Sequence, residues 1–395
     1  MPKALVPATF ADYRELARRR LIHRLFEYID GGSYAEVTLR DNVSDLDRLR
    51  IRQRVLRDVS RRTLGTTVLG QPWSMPVALA PVGLAGMFRR RGEVQALRAA
   101  EAAGVPFTLS TVGICSIEEV AGAATQPFWF QLYIMRDRGF VAEVIQRAQA
   151  ARCGALVVTV DLAVPGARYR DIRSGMMGGV PLAGRLALAA DLLRHAGWVW
   201  DVALRGRPLV FGTIAPILPK AHMLRDFVGW VGKNFDAGVT WKDVEWIRAR
   251  WNGPLIVKGV LDPDDARAAV HAGAQAVVVS NHGGRQLDSV PSTVAALPAI
   301  VDAVGGSAEV LFDGGVRSGL DVFKALALGA KGALMGRAWA FALAALGESG
   351  VTRMLGTVQK ELDAAMALSG VTSIAEIGRD ALVRDPTAPA VEIRR

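Results

Sequence analysis

The sequence predicts a (β/α)8 TIM barrel, an α/β fold, on three observations. Eight short apolar, β-branched runs recur along the chain, most close on a polar or glycine-rich stop, and Ala- and Leu-rich helical stretches separate them. The runs are 77–83, 107–111, 128–133, 155–161, 255–260, 276–284, 309–315 and 332–337. Each is nearly continuous in apolar residues, as parallel strands buried on both faces are. An open doubly wound sheet is the competing architecture, but no G-x-G-x-x-G follows the first strand.

Taken in order, residues 1–74 read as an N-terminal segment of helices and connectors. ADYRELARRRLIHRLFEYI (11–29) carries Leu16, Leu21, Leu25 and Ile29 near helical spacing, and Gly31-Gly32 ends the run. The barrel occupies 75–345, with helices expected at 93–104, 264–273 and 319–330, each closing on glycine. About 95 residues separate the fourth and fifth strands, against roughly 20 to 35 elsewhere, so about 166–240 holds an insertion. It carries Trp198, Trp200 and Trp230 and more basic than acidic residues. A C-terminal helix and tail fill 346–395, giving a single domain over 1–395.

Composition narrows the class. A chain of 395 residues that is 51% hydrophobic and 22% charged is neither disordered nor low in complexity. Two cysteines, Cys115 and Cys153, give neither a disulfide framework nor a C-x-x-C zinc site, which predicts a reducing compartment and no metal. The N-terminus lacks an apolar signal core, and no run of 18 apolar residues occurs, so neither export nor a spanning helix is expected. A net charge of +10 fits an anionic membrane surface, nucleic acid or an acidic substrate without choosing among them.

In such a barrel, function gathers where strands end in loops at the carboxyl face. Those ends supply Gly83, Ser110, Gln131, Tyr133, Thr159 and Asp161. They continue with Lys258, Ser280, His282, Arg285, Asp313 and Arg317, then Gly336-Arg337. Lys258 sits inside LIVKGV, where a buried ammonium needs an anion. Three readings stay open for it: an ion pair with a neighbouring carboxylate, a Schiff-base nucleophile, or a fixed charge beside an anionic cofactor. His282 directly follows a β-branched run, in VVVSNHGGRQLD, with Arg285 three residues on. A base next to a carboxylate clamp suits a substrate that loses a proton beside an anionic group, and Asp161 could orient the imidazole and favour its charged form. FDGGVRSG (312–319), with Gly314 and Gly315, and MGRAWA (335–340) place glycine-rich loops after the seventh and eighth strands, the usual phosphate site of these barrels.

SNHGGRQLD, IVKGV and DGGVRSGLDVFKALALGA together resemble the FMN-dependent L-2-hydroxy-acid oxidase and dehydrogenase family. The resemblance runs from FEYIDGG (26–32) to AMALSGVTSI (365–374), and is strongest to the membrane-associated respiratory branch through 80–96, 106–120 and 164–176. It implies FMN as cofactor and oxidation of an L-2-hydroxy acid, L-lactate to pyruvate first, with electrons passed to a quinone or another respiratory acceptor. It implies His282 as base with Asp161 as partner, Arg285, Arg168 and Tyr28 on the substrate, and Tyr133 at its hydroxyl or keto oxygen. Val82, Gly83, Ser110, Gln131, Thr159 and Lys258 would meet the flavin. Ser280 and the stretch from Asp313 to Arg337 would hold the rest of the cofactor, Arg317 at its ribityl-phosphate portion. Gly83 stands where some strong oxidases carry alanine, which favours a dehydrogenase. Mandelate and an oxygen-reducing oxidase are the alternatives within the family.

A Schiff-base aldolase would explain Lys258 but neither His282-Arg285 nor the later glycines. A nucleic-acid binder would explain the charge, yet the basic residues are dispersed and no nucleic-acid motif is present. Within the insertion, 180–204 sets Leu182, Leu186, Ala189 and Leu193 on one helical face, followed by Trp198 and Trp200. That mixture suits a helix lying in a membrane interface, with an active-site lid or a subunit contact as the alternative. The expectation is a peripheral homo-oligomer on the cytoplasmic face of a bacterial inner membrane.

Overall fold

The computed structural model describes residues 6–176, 182–217 and 234–383. Its strands are β1 (Thr66–Val68), β2 (Gln71–Trp73), β3 (Val77–Leu79), β4 (Thr108–Ser110) and β5 (Trp129–Tyr133). They continue as β6 (Ala155–Thr159), β7 (Leu255–Val260), β8 (Ala276–Val279), β9 (Glu309–Phe312) and β10 (Gly332–Met335). β3 to β10 pair in parallel in the order β3-β10-β9-β8-β7-β6-β5-β4, and a bridge between Leu79 and Phe107 joins the two ends. All eight apolar runs are therefore strands of one barrel. Its lumen is filled by Ala78, Trp129, Val157, Ile256, Val278 and Leu334, all buried.

Register sets polar residues side by side at the carboxyl rim. Ser110 pairs with Gln131, Tyr133 with Thr159, and Thr159 with Lys258. Along β4 to β7, strand stops that read as separate in sequence thus become neighbours on the rim.

Three expectations need correction. The N-terminal segment also holds a hairpin, β1 paired antiparallel with β2, which places Val68 and Trp73 in the lumen cluster. The Trp73 ring lies 5.5 Å from that of Trp129 and helps fill that core, a contact worth about 1 kcal/mol beyond area. The N-terminal helical run is two helices, Phe10–Arg20 and His23–Asp30. The chain turns extended at Leu21 and Ile22, ψ 144° and 146°, and both side chains are buried. Finally, Trp198 does not face outward. It is buried, and its Nε1 donates to the Met87 carbonyl at 2.8 Å.

The insertion forms helices Tyr169–Arg173 and Leu182–Arg194 and a π-helical turn, Val199–Leu204. It is tied down from beneath: Asp201 pairs with Arg20 at 2.7 Å and Arg89 at 3.3 Å, and Asp191 accepts from the His23 amide. Its outer side exposes Leu186 (71%), Leu193 (81%) and Trp200 (60%), with Arg185 and Arg194 also exposed. Trp230 and the first residues of the 180–204 segment lie outside the described residues. No described helix is long and apolar enough to cross a membrane.

Candidate active site

A cavity of about 220 Å³ opens over the carboxyl rim. His282 stands on its wall in a left-handed backbone conformation, φ +57°, which costs a non-glycine residue about 1 kcal/mol and is held by the contacts around it. The His282 amide donates to Ser280 Oγ at 3.2 Å, and Nδ1 lies 2.9 Å from Asp161 Oδ1. Since the ionised carboxylate only accepts, it fixes the proton on Nδ1 and leaves the Nε2 lone pair as the basic one. Burial lowers the imidazole pKa below its ordinary value, and the opposing charge of Asp161 does not restore it. Asp161 thus favours the charged form, as expected, but burial outweighs it, and near neutral pH His282 is a neutral base. Burial also works against the Asp161 carboxylate, but His282 and Lys258 outweigh it and keep its pKa low.

Lys258 Nζ lies 2.9 Å from Asp313 Oδ2 and donates to Ser280 Oγ at 2.8 Å. Burial opposes its charge, yet Asp313 and Asp161 more than offset this and raise its pKa. A Schiff-base lysine must be free and neutral, so the aldolase reading loses its main residue. Ser280 is fully buried and supports Lys258 and His282 from behind.

Arg285 and Arg168 both bring guanidiniums to the cavity. Arg285 lies over the Tyr28 ring, 4.7 Å from its centroid, and donates to the Tyr28 carbonyl. Arg168 Nε donates to the Arg285 carbonyl at 3.3 Å. Tyr28 and Tyr133 face the same space, and Tyr133 is held by Phe235, with ring centroids 5.0 Å apart. Phe235 comes from the returning end of the insertion and carries no sequence signal; neither do Met176 and Asp171, which also line the cavity.

Val82, Gly83, Ser110 and Thr159 also line the wall. Gln131 stands behind them, accepting from Ser110 Oγ at 3.0 Å, while its Nε2 and the Thr159 hydroxyl are buried without a partner. A Cβ at Gly83 would approach Val112 Cγ2 to 2.7 Å, so alanine there must push a neighbour or narrow the cavity.

Asp313, Gly314, Gly315 and Arg317 continue the lining. Gly315 has φ +86°, and any Cβ would strike the Asn42 carbonyl. Of the two helix starts here, Gly319–Ala327 is closed by its own capping box, Ser318 with Asp321. Arg337–Leu346 begins at Gly336 with no side-chain cap, leaving its first N–H groups for an anion. Arg337 donates to the carbonyls of Ile29, Gly283 and Gly31. With three of its five N–H groups engaged, two remain. Burial lowers the Arg317 pKa to about 10 and that of Arg337 well below its usual value. Half-buried cations beside an uncapped helix start suit an anionic group.

Fold and cavity define a class: a barrel whose cavity holds donors for the polar edge of a ring and for a phosphate. Comparison with known proteins identifies it further. The profile described as FMN-dependent dehydrogenase matches residues 17–384. The L-lactate dehydrogenase of Chromohalobacter salexigens is 54% identical over 388 residues, 98% of each chain, and that of Stenotrophomonas maltophilia R551-3 is 56% identical over 97% of this chain and 100% of the relative. The structure of the monotopic membrane protein (S)-mandelate dehydrogenase matches with TM-score 0.89 at 34% identity, covering 96% of this chain and 100% of that one. The chain belongs to the FMN-dependent dehydrogenase family, and FMN is its cofactor.

The residues fit that group. The unpartnered Gln131 Nε2 and Thr159 Oγ1 suit the ring's polar edge, and Gly336 with Arg317 and Arg337 suits its phosphate. Arg317→Ala is expected to weaken FMN retention by roughly tenfold to a hundredfold, the scale of a charge-assisted contact, measured as flavin fluorescence released on dilution. Unchanged retention would remove Arg317 from the phosphate site.

Proposed function

We propose that this protein oxidises L-lactate to pyruvate and passes the electrons to a membrane quinone. The observation that carries the reading is the neutral His282 imidazole, held by the Asp161 carboxylate at 2.9 Å and facing the same cavity as Arg285 and Arg168, in a chain 54–57% identical to L-lactate dehydrogenases. Arg285 and Arg168 hold the substrate carboxylate, and Tyr133 with Tyr28 positions the oxygen that becomes the keto group. His282 Nε2 takes the proton that the substrate loses, and Asp161 stabilises the imidazolium so formed. FMN, when bound, supplies the acceptor for the two electrons. Lys258 keeps a positive charge beside the cavity for the negative charge that develops there.

The insertion supports a peripheral attachment to the cytoplasmic face of a bacterial inner membrane. Its exposed Leu186, Leu193 and Trp200 beside Arg185, Arg194 and Arg205 form the apolar-and-basic face that a membrane interface binds. Quinone reduction then occurs where quinones reside. The architecture shared with mandelate dehydrogenase makes L-mandelate the second substrate to test. A turnover panel of L-lactate, glycolate and L-mandelate, with oxygen or a quinone analogue as acceptor, tests the reading. L-lactate with the quinone analogue should give the highest kcat/KM; a clear preference for L-mandelate or for oxygen contradicts it.

Asp161→Asn separates charge from orientation. Asp161 raises the His282 pKa against the lowering by burial, so its removal lowers that pKa further. The base form is lost as pH falls through this pKa. The acid limb of kcat/KM should therefore lie below the ordinary histidine value and move to still lower pH in the variant. The plateau should drop by roughly one to two orders of magnitude, less than on loss of the base itself.

A further inference from the structure

The two guanidiniums that face the proposed substrate carboxylate also face a carboxylate belonging to the chain. Asp171 sits on helix Tyr169–Arg173, is buried at 2% exposure and lines the cavity. Its Oδ2 has no hydrogen-bond partner and lies 3.9 Å from Arg168 Nη1. Its neighbour Arg170 turns away, to Asp30 and Glu36 at 2.8 Å each. The charges acting on Asp171 are therefore Arg168, Arg285 from the loop after β8, and Glu27 from helix His23–Asp30, with the phenols of Tyr28 and Tyr133 in the same cavity. A buried carboxylate with an orphaned oxygen is costly, and its placement against a guanidinium pair gives it a purpose.

We propose that Asp171 is a positioning residue that serves as the built-in counter-ion of Arg168 and Arg285, and that it takes up a proton from solvent when a carboxylate ligand binds. Without a ligand, its charge holds Arg168 at the cavity wall and reduces repulsion between the two guanidiniums. An arriving carboxylate takes over that task and leaves two anions competing for the same cations. Protonating Asp171 relieves the competition. The direction of its titration agrees: burial raises its pKa, and Arg285 and Arg168 do not cancel that effect. The sign follows from linkage, since binding that raises a group's pKa draws a proton and is favoured by lower pH.

The inference rests on the cavity being a 2-hydroxy-acid site, so the test separates the two. The probe is oxalate, planar and carboxylate-bearing like a 2-keto acid, titrated calorimetrically into FMN-loaded His282→Gln protein, whose imidazole can no longer take the proton. Binding heats in two buffers of different ionisation enthalpy at pH 7 should differ by the equivalent of about half a proton or more per oxalate. Adding Asp171→Asn should abolish that difference and tighten oxalate binding at pH 8 by roughly tenfold, because a competing anion is gone. A residue with only a structural role would weaken binding at every pH and leave proton uptake unchanged, which overturns the proposal. Should the double variant lose its flavin, the single variant decides alone, since buffer-independent heat of binding also overturns it. Absence of saturable oxalate binding is the distinct signature of a failed site reading, and removes the proposal with it.

Discussion

Replacing His282 with glutamine is expected to leave FMN bound while slowing flavin reduction by L-lactate by roughly two to four orders of magnitude, the usual worth of a general base. The expectation follows from geometry. His282 Nδ1 is committed to Asp161 at 2.9 Å, so Nε2 is the nitrogen available to the cavity, and Gln offers no basic lone pair there. Arg285 and Arg168 stay in place, so the loss should fall on the rate of reduction rather than on substrate affinity. Stopped-flow bleaching of the flavin under anaerobic conditions reads both. Reduction within a few-fold of the normal rate would show that proton removal does not depend on this imidazole.

The second large effect concerns the membrane. Deleting the insertion is a poor test, because Trp198, Asp191 and Asp201 bind it to the body of the barrel and Phe235 braces Tyr133. The structure shows instead which side chains can be changed harmlessly. Leu186→Glu, Leu193→Glu and Trp200→Gln together alter only exposed positions. They should weaken binding to anionic vesicles by roughly a hundredfold or more, since each apolar side chain contributes about 1.5 to 3 kcal/mol on burial. Reduction by L-lactate with a water-soluble dye as acceptor should persist. Co-sedimentation with vesicles at moderate salt measures the first, and absorbance the second. A triple variant that sediments as before, or an unaltered protein that does not sediment, favours the lid or subunit contact.

Legibility in the sequence followed the length and continuity of the signal. Every barrel strand was readable because a buried parallel strand is one apolar run closed by a polar stop, and the polar stops proved to be neighbours on the rim, as Ser110 with Gln131 and Tyr133 with Thr159 show. The β1–β2 hairpin was not, because three-residue strands around Leu69-Gly70 have no period to detect. The break at Leu21–Ile22 hid in a pattern whose helical spacing continues straight through it. At the site, glycine-rich and charged strand ends were visible, and the structure lines one cavity with most of them. Asp161, Gln131 and Ser280 instead stand behind the wall and act through neighbours. Phe235 and Asp171 were invisible because they come from the insertion, where no strand frame fixes what an isolated aromatic or acid will face. Trp198 was misplaced for a related reason: tryptophan marks a membrane interface and a packed core equally well until its indole N–H finds a carbonyl.

The measurement that bears most directly on the central claim is anaerobic mixing of the FMN-loaded protein with L-lactate and, separately, with D-lactate. The account predicts that L-lactate bleaches the flavin at a rate that saturates with concentration, that one pyruvate appears per flavin reduced, and that D-lactate does neither at a comparable rate. A flavin that stays oxidised in L-lactate would contradict it.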